Sequence, residues 1–147
     1  MKKIFDNSQK GDVGLFLPNG FGPYKYEIRT VQLDRIVDEL WRVGSTQIKD
    51  TPHYKYLTGD RGPLERYFES CRGYTWARKG TPAEGMKVSE LIGEFDSLIH
   101  SEKSYLEPPY ENHYIIVRSN WSCIDGLRRS CVLLANGVEE APVAWVL

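Results

Sequence analysis

The residues of this chain whose types and spacing best suit chemistry are Asp125-Gly126-Leu127-Arg128-Arg129. They follow Trp121-Ser122-Cys123-Ile124, which reads as a strand, and they open a stretch in which Leu127, Cys131, Leu134 and Ala135 recur at helical spacing. A strand hands over to a helix at Gly126. There a glycine admits a positive φ and a close backbone approach by a ligand, the new helix offers unpaired N–H groups, and two guanidinium forks stand in its first turn. Arginines at a helix N-terminus oppose the macrodipole, by about 0.3–1 kcal/mol each when exposed, and a bound anion would reverse that opposition. Gly126, Leu127, Arg128 and Arg129 are therefore the candidate phosphate-binding residues. The same residues also allow a blander arrangement, in which one arginine pairs with Asp125 or Glu94 and the other is solvated.

A phosphate site becomes catalytic only with a group that moves a proton. Asp125, inside the box, and His53, in Pro52-His53-Tyr54-Lys55, are the candidates for that role, and His53 could equally contact a phosphate or serve in packing. Asp34, Asp60 and Asp125 could hold Mg²⁺ or accept a proton from an attacking hydroxyl. No phosphate loop of the G-x-x-x-x-G-K type, no Ser/His/Asp signature and no zinc-ligand spacing is present, so no resident metal is expected. The cofactor such a site would take is a nucleoside di- or triphosphate, with Mg²⁺ carried alongside. Cys71, Cys123 and Cys131 are odd in number and lack ligand spacing, which predicts three free thiols and a reducing, cytoplasmic setting.

Several elements must position these groups. The lead-in through Pro23 is rich in Gly, Asn and Pro without a sustained period and reads as an N-terminal arm. Alternation around Tyr26-Glu27-Ile28-Arg29 predicts a half-buried strand over 26–32. Thr51 followed by Pro52 predicts a capped helix from 52 to about 58, and Leu64, Tyr67 and Phe68 predict a second short helix ending near Cys71. Val88, Leu91, Ile92, Phe95, Leu98 and Ile99 form one apolar stripe of a longer helix, for which Thr81-Pro82-Ala83-Glu84 offers a capping box. Tyr114–Val117 and Trp121–Ile124 flank Ser119-Asn120 as a hairpin, and Asn136-Gly137 should end the helix after the box in a left-handed cap. Pro142 to Leu147 reads as a terminal strand. The fold class predicted is α/β, or α+β, with a small mixed sheet and flanking helices, in one domain over residues 1–147.

With 147 residues and 41% hydrophobic content the chain can bury one core, and a net charge of -1 gives no global field for nucleic acid. The segment 53–80 is more basic, and its Tyr54, Tyr56, Tyr67, Tyr74 and Trp76 alternate with Lys55, Arg66, Arg72 and Arg78, a pattern that admits base stacking but also an ordinary core. Polar residues after Ile4-Phe5 exclude a secretory h-region, and no run is long enough to span a membrane.

From Tyr114 to Val143 the order strand, hairpin, Gly126-Leu127-Arg128-Arg129, helix, Gly137 and Pro142-Val143 resembles the N-terminal domain of the ParB/sulfiredoxin superfamily in a stand-alone form. Ile28–Ile36 and Phe95–Ile99 resemble the family's opening strand and the helix before its hairpin; residues 37–87 do not align. The resemblance implies that Gly126, Arg128 and Arg129 bind nucleotide phosphates. Arg128 stands where kinase-like and sulfiredoxin-like members have histidine, and Leu127 where sulfiredoxins have their cysteine, so sulfiredoxin chemistry is not implied. The expectation is a nucleotide- or phosphate-binding domain, either a small-molecule phosphotransferase or nucleotide hydrolase, or a non-catalytic module that recognises an anionic metabolite or a partner. Nucleic acid is the lesser reading.

Overall fold

The computed structural model describes residues 4–6, 25–40, 43–71, 87–102 and 114–147. Strands β1 (Ile4–Asp6), β2 (Lys25–Gln32), β5 (Ile115–Arg118), β6 (Cys123–Asp125) and β7 (Glu140–Val146) form one sheet in the order β1-β2-β7-β5-β6. All neighbours in it are antiparallel except β5 and β7, which run parallel. The sheet is therefore mixed, and β7 lies inside it. That position explains why Ala141, Val143, Ala144, Trp145 and Val146 are all buried: a strand paired on both sides and covered on both faces needs apolar residues throughout.

Helix α4 (Leu127–Ala135) makes the crossover from β6 to β7. Its Cys131, Leu133 and Leu134 join Val31, Ile115, Val117, Val143 and Trp145 in the main core, with Leu127 packed beside them. It ends as the sequence predicts, with Gly137 at φ 83° and the amides of Gly137 and Val138 donating to Leu134 and Leu133. The other helices build a second cluster. Leu64 and Phe68 of α2 (Gly62–Cys71) pack with Leu91, Ile92 and Phe95 of α3 (Val88–Glu102), and α1 (Pro52–Leu57) lies between this pair and α4.

Helix α1 starts where its sequence says it should. The Thr51 hydroxyl accepts from the Tyr54 amide at 3.1 Å and donates to the Ile48 carbonyl at 2.6 Å, while Pro52 fills the first helical position. It also sits 3.5 Å from the Cys131 sulfur, which pins the start of α1 to the middle of α4.

Three features differ from the sequence reading. Ile4–Asp6, read as part of an arm, pairs with Asp6 opposite Lys25 and Ile4 opposite Glu27 as an edge strand. Two unforeseen strands, β3 (Val37–Leu40) and β4 (Gly44–Gln47), pair antiparallel and meet the main sheet through a bridge from Val37 to Ser122. Gly44–Gln47 alternates in burial but has no apolar residue, and Val37–Leu40 does not alternate, so neither shows the apolar period that reveals a strand in sequence. The β5–β6 hairpin turns at Ser119-Asn120 as expected, the Trp121 amide donating to the Arg118 carbonyl, but it carries a bulge at Ile116/Val117 and holds Trp121 at φ 71°. The capping box at Thr81, and Tyr74, Trp76, Arg72, Arg78 and His113, lie outside the described residues, as do the side chains of Cys71 and His100. No helix among the described residues is long and apolar enough to cross a membrane.

Candidate functional site

Gly126 adopts φ 110° and ψ 22°, the left-handed conformation expected at the junction. A Cβ there would lie 3.0 Å from Ile115 Cγ1 and 3.1 Å from Ile115 Cα. The close approach that demands glycine is thus made by the chain's own β5, where the sequence reading had placed a ligand. Its effect is to seat the start of α4 directly against the sheet. The Gly126 carbonyl accepts from the Ser130 amide and hydroxyl, both at 2.9 Å, and Gly126, as N-cap, has no side chain to offer the amides of the first turn.

The two arginines of that turn have different surroundings. Arg129 is mostly buried; its Nη1 donates to the Tyr114 carbonyl at 3.0 Å and its Nη2 lies 3.5 Å from Asp125 Oδ2. It thereby fastens the entry of β5 to the exit of β6, and it engages the carboxylate that the sequence offered as a candidate to accept a proton. Arg128 is exposed, one helical turn before Cys131 on the same face of α4. Cys131 in turn touches Thr51, the N-cap of α1.

His53 is 7% exposed and is held edge-on by three rings, with centroids 5.1 Å away at Tyr67, 5.5 Å at Phe95 and 6.3 Å at Phe68. Its Nδ1 is buried without a hydrogen-bond partner. Burial, with the Arg128 guanidinium adding to it, pulls the imidazole pKa down to about 4, so the ring is neutral at physiological pH. Next to it Tyr56 donates to the Asp96 carboxylate, and this bond, more than burial, raises the phenol.

A second titratable pair, Asp38 and Cys123, joins β3 to β6. Burial raises Asp38 of β3 to about 6, partly countered by its hydrogen bond with the Cys123 thiol. Burial, and the nearby Asp38 and Asp125 carboxylates, push Cys123 well above its ordinary value and so hold it as the neutral thiol at physiological pH. Cys123 and Cys131 are both free. Sequence reading missed Asp38 altogether, since a single acid in Val37-Asp38-Glu39-Leu40 looks like a solvated face until β3 is laid against β6.

The site residues named from sequence therefore divide. Gly126, Leu127, Arg128 and Arg129 do share the start of α4 and Asp125 is tied to Arg129, whereas His53 lies in α1 among the rings of Tyr67, Phe68 and Phe95. Asp34 and Asp60 are exposed on separate turns, and among the described residues no group of three His, Cys, Asp or Glu side chains could hold a metal ion. Tyr54, Tyr56 and Tyr67, candidates for base stacking, pack against the two cores. Comparison of the chain with family models, with curated proteins and with solved structures finds no match.

Proposed function

We propose that this protein binds a phosphorylated small molecule, a nucleotide being the class the site suits best, with the phosphate seated at the first turn of α4 beside Arg128. The observation that carries the reading is an exposed guanidinium, Arg128, in the first turn of a helix whose N-cap is a glycine with no side chain to offer its amides. The resemblance of Gly126-Leu127-Arg128-Arg129 to the phosphate box of the ParB/sulfiredoxin superfamily points the same way. Arg129 acts on this reading as a strut that fixes the turn, and Arg128 as the anion contact.

Binding without turnover is favoured over phosphotransfer or hydrolysis by one observation. Asp125, the acid inside the box, already serves the Arg129 ion pair. A thermal-shift series with nucleoside di- and triphosphates, with and without Mg²⁺, followed by product analysis, separates the two. Stabilisation with the nucleotide recovered intact is the expected result, and no stabilisation by any phosphate compound would remove the reading.

A further inference from the structure

We propose that the Asp38 carboxyl is a pH-sensitive latch between the β3–β4 pair and the edge of the main sheet, closed while it carries a proton and loosened when it ionises. The inference concerns the strand edge beside the β6–α4 junction and does not depend on the phosphate reading.

The seam between the two sheets is narrow. Within the main sheet β6 is an edge strand, paired with β5 on one side. On its other side runs β3, meeting it in parallel through an isolated bridge of Val37 to Ser122, with the Val37 amide donating to the Trp121 carbonyl at 3.0 Å. That register sets Asp38 beside Cys123, and residues level with each other in neighbouring strands project from the same face. Cys123 packs against the main core on that face. The Asp38 carboxyl is therefore half-buried in the seam, hydrogen-bonded to the Cys123 thiol.

The groups around the carboxyl do not compensate its charge. From β6 come Cys123 and Asp125, and Asp125 is already engaged by the Arg129 guanidinium of α4 at 3.5 Å. Glu39, next on β3, repels it, and β4 sets the uncharged Ser45, Thr46 and Gln47 alongside. Arg35, the cation just before β3, lies over the Trp121 ring. The Cys123 thiol does favour the charged form, but burial outweighs it and raises Asp38 to about 6. Parting β3 from β6 returns the carboxyl to water, where it ionises at about pH 4. The docked pair thus holds the proton more tightly than the parted one. Docking is strongest below about pH 4, weakens by up to about ten-fold per pH unit as the pH rises to about 6, and levels off above it. The edge so loosened ends at Asp125, one residue before the glycine that seats α4 on the sheet.

Amide hydrogen exchange, followed by NMR and divided by the intrinsic rate at each pH, reads the seam directly. Between about pH 5 and about pH 7.5 the protection of the Val37 amide should fall about ten-fold, while the β2–β7 ladder loses none. In Asp38→Asn, whose side chain is neutral throughout, that fall should vanish. Cys123→Ala removes the donor to the carboxylate, so the fall should extend to higher pH. Val37 protection that is constant with pH, or that changes only in step with the ladder, would overturn the latch. A fall that persists in folded Asp38→Asn would overturn it equally. Should Asp38→Asn fail to fold, Cys123→Ala decides: a fall that levels off at the wild-type pH removes Asp38 as its cause.

Discussion

At the scale of single residues, Arg128 and Arg129 are adjacent in sequence and separate in role. Arg129 spans Tyr114 and Asp125 from a mostly buried position, so Arg129→Ala leaves a carbonyl and a carboxylate without their cation. Charge-assisted hydrogen bonds contribute about 1.5–3 kcal/mol, and the melting temperature should fall accordingly. Arg128→Ala, at an exposed position, should change stability by no more than about 0.5 kcal/mol. Equal losses in the two melting curves would contradict this division. Sequence alone brought both arginines and Gly126 to one helix turn, because that is a matter of local spacing. It did not reveal that Arg129 reaches Tyr114, because that carbonyl lies at the entry of another strand. His53 was noticed as a residue, but its environment depends on Tyr67, Phe68 and Phe95, which only the packing of α1 on α2 and α3 brings to it.

At the scale of elements, the junction of β6 with α4 depends on a conformation and a contact that both require glycine. A left-handed alanine costs about 1–2 kcal/mol and forcing its Cβ against Ile115 about 1–3 more, so Gly126→Ala should destabilise by roughly 2–5 kcal/mol. A chemical denaturation midpoint within error of wild type would mean that α4 can back away from β5. The β5–β6 turn presents the opposite case, a positive φ occupied by Trp121. Its ring is covered by the Arg35 guanidinium at 4.2 Å and meets Trp145 edge-on at 4.9 Å. Trp121→Gly relaxes the backbone but removes that stack, and the aromatic contact together with its burial outweighs about 1–2 kcal/mol of strain. A net loss of about 1–3 kcal/mol is expected on urea unfolding, and a more stable glycine variant would show that the stack contributes little. The helices and the strands β2, β5, β6 and β7 were legible because capping residues, apolar stripes and alternation act locally. The β3–β4 pair was not, because Asp38, Glu39, Ser45 and Gln47 mask any apolar period, and what holds it is its long-range bridge to Ser122.

At the scale of the whole molecule, two buried groups make stability respond to pH in opposite directions. His53 has a folded pKa of about 4, below its ordinary 6.5. Folding favours its neutral form, so its contribution is present above about pH 6.5 and is lost as the pH falls towards 4, about 3 kcal/mol in all. Asp38 is raised from 3.8 to about 6, so the folded protein favours its protonated form. It destabilises at neutral pH and is relieved over the same interval by a similar amount, about 3 kcal/mol. The two nearly offset in wild type. Asp38→Asn should therefore make stability fall more steeply with acid than wild type, and His53→Phe should make it fall less steeply or rise. Parallel profiles for the three proteins in urea titrations between about pH 7 and about pH 4 would show that neither group is perturbed as described. What the chain as a whole binds is read most directly by calorimetric titration of the nucleotide that stabilises it most, against wild type and folded Arg128→Ala. Loss of one charge-assisted contact predicts binding weaker by about ten-fold or more in the variant. Equal affinity in the two proteins would contradict a phosphate site at the start of α4.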